Sequence, residues 1–311
     1  MKKWDPKNME FTTRDFLSIA IMTEVIEGRG SPAGGVYLSF AHLPKNLIEF
    51  SPKWHGKPFL KEDWTFKGMK FKDLMEEVVD GRAIEIGSAS HFFMGGVRVD
   101  ASGATTLEGL YGAGEVSGGV HGANRLSGNA CTQIVVQGKR AGAAAAEYAS
   151  SAEQPKLEED KVEMLRKEYI ASLERKEGVN PYEIRKKMHK ISWEKVGILR
   201  SGEGLKEALG EIEQICQIDL PQVFCRSKDR IYNREWMEAL QLRNMLTVLK
   251  AVALSAQERR ESRGAHYRKD FPKMNNREWL RNIVAGNHKG EMTLATIPVV
   301  ITRFTPSNEE V

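Results

Sequence analysis

Apolar residues recur at helical spacing near the start of the chain and through most of its second half, with short strand-like runs between. Phe16, Leu17, Ala20, Ile21 and Val25 follow Thr12 and Thr13, either of which can cap a helix running to about Glu27. Gly28-Arg29-Gly30 stops it, and residues 34–40 read as a strand. The next stretch is irregular, with Trp54, Trp64 and Phe66 as packing anchors, and 71–79 predicts a short amphipathic helix. Residues 95–99 predict a strand closed by Asp100, Ser102 and Gly103, and 109–113 a second one ending on Gly114 and Glu115. A loop rich in Gly and Asn covers 117–128. An Ala-rich helix follows over about 129–149, with Asn129 as its N-cap.

Beyond residue 151 the pattern is helical and highly charged. Helices are expected over 157–173, with Val162, Leu165, Tyr169 and Leu173 on one side, over 181–188 behind Pro181, and over 202–218. A longer one over 234–261 carries Trp236, Leu240, Met245, Val248, Leu249 and Val252. Two strands, 292–297 and 299–304, flank Pro298. No internal repeat or low-complexity linker interrupts these elements.

Composition narrows the function classes. A chain of 311 residues has room for two domains, and its 41% hydrophobic and 28% charged content is ordinary for a globular protein. The 46 basic residues against 42 acidic ones leave a net charge of +4, too balanced to argue for nucleic acid, though compatible with an anionic substrate. No apolar run reaches the roughly 18 residues of a membrane span, and no signal peptide opens the chain. Cys131, Cys216 and Cys225 form neither a CxxC pair nor a metal-ligand spacing, so the expectation is a reducing cytoplasm and no metal site. Iron–sulfur clusters, if electrons pass through any, are expected on another protein.

The chemistry concentrates between His91 and Ala149. A carboxylate at a strand's C-terminal end, here Glu115, can accept hydrogen bonds from a ribose diol. Glycines let backbone approach a flat ring, and a helix opening at Asn129 aims free N–H groups and a partial positive charge at what precedes it. That combination suits a flavin dinucleotide. Taken singly, each element is equally a turn between a strand and a packed helix.

Together the motifs HFFMGG (91–96) and GLYGAGEVSGGVHGANRLSGN (109–129) resemble the flavoprotein subunit of fumarate reductase and succinate dehydrogenase, to which L-aspartate oxidase is related. The TRD segment at 13–15 and the SRGAH stretch at 262–266 are similar to the same family, in the same order, so the resemblance covers nearly the whole chain. It implies FAD as cofactor and an α/β plus α fold: the end of a capping domain (1–90), the C-terminal segment of a Rossmann-like FAD-binding domain (91–150), and a C-terminal helical domain (151–311). It further implies that Arg14 is the proton donor, that His91 and Arg125 bind substrate carboxylates, and that Gly114, Glu115, Arg125, Asn129, Ala130 and Cys131 contact the flavin. Arginine matches carboxylates through its planar fork, but is an odd acid, with a pKa above about 12, and needs a relay to recharge it.

Plainer roles stand beside these. His91 also fits a core histidine beside Phe92 and Phe93, Arg14 a partner of Asp15, and Arg125 a donor to a backbone carbonyl. His121 reads as a structural or flavin-edge residue and His266 as a packing residue near the site. Cys131 reads as a backbone donor to the flavin rather than as a reactive thiolate. Two departures from the family matter: Ser88-Ala89-Ser90 precedes His91, where relatives often place a proline, and no N-terminal dinucleotide-binding βαβ unit is present. The expectation is therefore one half of an oxidoreductase that interconverts succinate and fumarate. A separate N-terminal FAD-binding chain would complete it, an iron–sulfur subunit is a further candidate partner, and the location would be cytoplasmic or peripheral at the inner face of the membrane. The alternatives are an L-aspartate oxidase-like or enoate-reducing flavoenzyme, and a truncated subunit that only binds partners.

Overall fold

The computed structural model of the chain describes residues 1–44 and 80–303, together with isolated positions and two-residue strand segments between 53 and 78. Trp64, Phe304, the side chains of Trp54 and Phe66, and all of the expected helix over 71–79 except Asp73 and Val78 lie outside the described residues. Two compact units divide the chain, Met1–His91 and Phe92–Val311.

In the first unit, α1 (Arg14–Glu24) starts from an extended Thr13 and buries Ala20, Ile21 and Met22, the face set by the apolar spacing. A single π-turn, Val25–Arg29, carries it to Gly28, whose φ of +79° ends the helix. The strand expected over 34–40 shortens to β1 (Val36–Leu38), because its partner is only three residues long. That partner, β2 (Ile84–Ile86), runs antiparallel to it. Gly35 allows the pairing: a Cβ there would sit 2.1 Å from the Ile86 carbonyl oxygen.

The second unit holds α2 (Asn129–Ser151), α3 (Glu159–Glu174), α4 (Pro181–Lys195), α5 (Gly202–Gln214), α6 (Arg234–Glu258) and an antiparallel hairpin, β3 (Arg281–His288) with β4 (Glu291–Pro298). Local chemistry starts three of these helices. Asn180 accepts from the Tyr182 N–H at 2.9 Å ahead of Pro181, Ser201 from Gly204 at 3.2 Å, and Asn233 from Trp236 at 3.0 Å. Each such cap stabilises its helix by about 1 kcal/mol.

Helices α4, α5 and α6 share one core. Ile184, Met188 and Ile191 meet Leu205, Ala208 and Ile212, and both rows meet Leu242, Leu246, Leu249 and Ala253. Of the residues expected on the core face of α6, Leu249 is buried and Met245 and Val252 pack against the core, but Val248 is exposed and Leu242 and Leu246 take the centre. This helix is apolar over much of its circumference, so spacing alone does not select a side. On α3 the expected stripe Val162, Leu165 and Tyr169 is exposed, and burial is confined to Ile170, Ser172 and Leu173 near its end.

The extended segments differ most from expectation. Residues 95–99 and 109–113 are not strands; each contributes one bridge, Val97 to Ser117 and Ala104 to Tyr111. A ladder needs several consecutive partners, and here the chain supplies one at a time. At the C-terminal end, residues 299–303 are not a strand either, and the true partner of β4 is β3. Lys289 and Gly290 join the two with φ of +53° and +90°, the two-residue turn whose twist matches a hairpin.

Candidate functional site

The segment Phe92–Gly118 and the start of α2 form the candidate site of the second unit. Gly96 lets the chain lie directly on the 116–118 backbone: a Cβ there would meet the Val116 carbonyl oxygen at 2.3 Å. The Val97 N–H donates to Val116 at 2.8 Å, and the Gly118 N–H donates back to Val97 at 3.1 Å. Two glutamines one helical turn apart on α2 fix the next turn. The Gln137 side-chain oxygen accepts from the Gly114 N–H at 3.0 Å and from the Ser117 hydroxyl at 2.9 Å. Gln133 donates to the Gly114 carbonyl at 3.1 Å, and its oxygen lies 2.6 Å from His121 Nε2.

Glu115 stands on this turn, exposed, with Oε1 accepting from the Phe93 N–H at 2.8 Å. Arg125 approaches the same segment. Its N–H donates to Met94 Sδ at 3.1 Å, and its guanidinium lies 4.5 Å from the centre of the Phe92 ring, which stands nearly perpendicular to the His121 ring with centroids 5.1 Å apart. Stacking of this kind orients a guanidinium at about 0.5–2 kcal/mol without using its N–H groups. Arg125 Nε is buried and has no partner among the described residues. A donor buried without an acceptor costs about 1–3 kcal/mol, which an incoming carboxylate would recover.

Helix α2 opens on Gly128, with φ of +85°, rather than on Asn129, and no side chain caps it. A left-handed residue suits glycine, so the chain enters the helix one position earlier than expected. The Cys131 N–H donates to Gly128 at 3.2 Å, whereas that of Ala130 has no partner among the described residues. These features fit the flavin dinucleotide that the sequence implied. Glu115 presents a carboxylate, the glycine turn presents backbone, and the helix N-terminus presents the Ala130 N–H and positive potential, the Asn129 and Cys131 N–H groups being bonded to Leu126 and Gly128. Arg14, the first residue of α1, and His91, the last of its unit, belong to the other unit, and both are exposed.

The SRGAH turn supplies a contact that sequence reasoning missed. Ala265 donates its N–H to the Ala123 carbonyl at 3.0 Å, so the helical region touches the loop carrying Arg125. Behind the turn, Glu261 is buried and bound by Arg259 at 2.6 Å, by Arg263 at 2.8 and 2.9 Å, and by the Asn275 N–H at 2.8 Å. Burial alone would raise its pKa; the Arg263 guanidinium and the Asn275 N–H outweigh that and hold the carboxyl below its ordinary value. His266 accepts at Nδ1 from Arg200 Nη1 at 2.8 Å. Burial, then the Arg200 charge, push its pKa down to about 4, so the ring is neutral at pH 7.

Comparison with known proteins adds an independent line. Residues 3–131 match a family model described as an FAD binding domain, and residues 185–311 match one described as the fumarate reductase flavoprotein C-terminus. The chain is homologous to fumarate reductase and succinate dehydrogenase flavoprotein subunits. A fumarate reductase (CoM/CoB) polypeptide of Methanothermobacter marburgensis is 38% identical over 91% of this chain and 48% of its own length. A Mycobacterium tuberculosis fumarate reductase flavoprotein subunit is 34% identical over 96% of the chain and 51% of its own length. Among solved structures, E. coli quinol fumarate reductase FrdA superposes with a TM-score of 0.81 at 27% identity, over 96% of this chain and 50% of that one. The chain thus spans about half the length of the flavoproteins it matches. The FAD-binding match includes Arg14, His91, Glu115, Arg125 and the opening of α2, while the SRGAH turn falls in the flavoprotein C-terminal match.

Phe92 as a platform, Gln133 and Gln137 as holders of the Glu115 turn, and Gly264 against Ala123 were not singled out from sequence. The paired glutamines carried a usable signal, since positions four apart on a helix share a face. Gly264 carried none, because the contact joins distant segments.

Proposed function

We propose that this chain is the C-terminal half of an FAD-dependent subunit that interconverts succinate and fumarate, working together with an N-terminal dinucleotide-binding half. The observation that carries the reading is Arg125: its guanidinium lies on Phe92, and its buried Nε lacks an acceptor among the described residues. In this reading Arg125 and His91 hold the two carboxylates of the substrate. Arg14 delivers the proton to the carbon that neighbours the site of hydride addition. Glu115 receives the ribose hydroxyls, and Gly114 with the Asn129–Cys131 backbone faces the flavin ring. FAD, when bound, supplies the hydride.

Residues 1–90 would be the end of a capping domain, 91–150 part of a Rossmann-like flavin domain, and 151–311 the helical domain. Exposed Val97, Leu110, Val116, Ile134 and Val135 give the dinucleotide-binding half an apolar surface to cover. An iron–sulfur protein as electron partner, and a cytoplasmic position held at the membrane's inner face through partners, belong to the same proposal. No helix among the described residues is long and apolar enough to cross a membrane.

The test is Arg125→Lys in the flavin-loaded complex. Lysine keeps the charge but loses the fork, and a hydrogen bond to a charged group contributes about 1.5–3 kcal/mol. Fumarate titrated against the flavin spectrum should bind at least about tenfold more weakly, with flavin content unchanged. An unaltered dissociation constant would remove Arg125 from the substrate site.

A further inference from the structure

Two backbone contacts bracket the peptide that presents Arg125. On one side the Arg125 N–H reaches Met94 Sδ at 3.1 Å. On the other the Ala123 carbonyl accepts from Ala265 at 3.0 Å. Sulfur is a weak acceptor, so the second contact is the firmer hold. No hydrogen-bonding side chain aims the guanidinium among the described residues: it rests on the Phe92 ring, and its buried Nε has no acceptor. Its direction is therefore set by the Phe92 ring together with where the backbone of 123–125 sits.

The turn that sets this backbone is rigid. Arg263 and His266 exchange N–H···O bonds of 2.8 and 3.0 Å, and the Arg263 guanidinium is held by Glu261 and, at 2.9 Å, by Asn276. At its apex Gly264 has φ of +55°, and a Cβ there would lie 2.5 Å from the Ala123 oxygen and 2.7 Å from its carbonyl carbon. Any side chain at 264 must displace Ala123 by about half an ångström, into the range that misaligns a binding group.

We propose that Gly264 is a positioning residue for the substrate site: its bare Cα lets the SRGAH turn clasp the Ala123 carbonyl and so sets the aim of Arg125. The inference rests on Arg125 as a carboxylate anchor and deepens that reading. It gives the helical domain a part in substrate recognition, exerted through backbone alone.

A double-mutant cycle of Gly264→Ala with Arg125→Ala tests it in the flavin-loaded complex. Fumarate affinity is read by calorimetry and by the flavin spectrum, and KM and kcat are measured separately. Gly264→Ala should raise the dissociation constant and KM for fumarate about tenfold or more, with flavin content unchanged. In the Arg125→Ala background the same substitution should change affinity by less than about twofold. An equal factor in both backgrounds, or wild-type affinity in Gly264→Ala, would overturn the proposal. If Gly264→Ala does not accumulate as folded protein, Glu261→Gln loosens the same turn without adding an atom beside Ala123, and its cycle with Arg125→Ala is judged by the same criteria. Unchanged affinity in Arg125→Ala alone would remove the anchor, and the positioning role with it. Additivity with a weakened Arg125→Ala would remove the positioning role only.

Discussion

Folding leaves His266 among positive charges, which makes the protein's stability depend on pH in a defined direction. Arg200 donates to its Nδ1 at 2.8 Å, while Nε2–H is left to point at the Arg259 carbonyl at 3.4 Å, an arrangement only a neutral ring can hold. Arg200, Arg259 and Arg268 all disfavour a charge there, and burial contributes most, moving the pKa from 6.5 to about 4. Above pH 6.5 the ring is neutral in both folded and unfolded chains, and its contribution to stability is fully present. As the pH falls through that range the unfolded chain takes up a proton that the folded one refuses, so stability declines. Below about 4 both states are protonated and the loss levels off. At about 1.4 kcal/mol per pKa unit over about 2.5 units, the loss reaches at most about 3–4 kcal/mol.

Denaturant unfolding, measured at intervals from pH 7.5 to 4.5 for the wild type and His266→Gln, isolates this term. Glutamine retains an acceptor for Arg200 but does not titrate. The nearby Asp270 stays ionised through the window, since the Arg268 ion pair holds its pKa at about 2. The difference in stability between the two proteins should shrink as the pH falls, because only the wild type loses the His266 term. Parallel curves, or a wild type that gains on the variant in acid, would refute the reasoning.

Two further perturbations probe the core and the chemistry. Leu246 is 1% exposed at the centre of the three-helix core, so Leu246→Ala should cost about 2–5 kcal/mol, read from the shift in urea midpoint at constant slope. A cost under about 1 kcal/mol would mean the core is not centred there. Arg14→Ala in the flavin-loaded complex should lower fumarate reduction with reduced viologen by at least about a hundredfold, while dithionite still reduces the flavin. Near-normal turnover would remove Arg14 as proton donor.

Where the sequence was legible, local chemistry decided the outcome. The helix starts at Thr13, Pro181, Gly202 and Arg234 and the stop at Gly28 were legible, and the structure caps the later three with Asn180, Ser201 and Asn233. Elements defined by pairing were not legible in the same way. Residues 95–99 have strand composition, but a ladder also requires a neighbour in register, and only Val97 finds one. Strand β3 was missed for the opposite reason: Arg281, Asn282, Gly286 and Asn287 argue against a strand, and pairing with β4 overrides them. The motif order brought HFFMGG, the Glu115 turn and GANRL into one region, and the structure gathers Phe92, Glu115 and Arg125 there. The clasp of Gly264 on Ala123 lay beyond reach, because one added carbon decides it and nothing local in either segment announces the other.

The most direct test of the proposed function is flavin content and fumarate turnover, measured on residues 1–311 alone and on the same residues joined to or co-expressed with a candidate N-terminal dinucleotide-binding half. The account predicts little bound flavin and no turnover for the chain alone. For the complex it predicts about one FAD per chain and fumarate reduction with reduced viologen. Residues 1–311 alone, if monodisperse, FAD-bound and able to reduce fumarate, would contradict the need for that half. A stable complex that carries FAD but neither binds nor reduces fumarate would contradict the substrate reading.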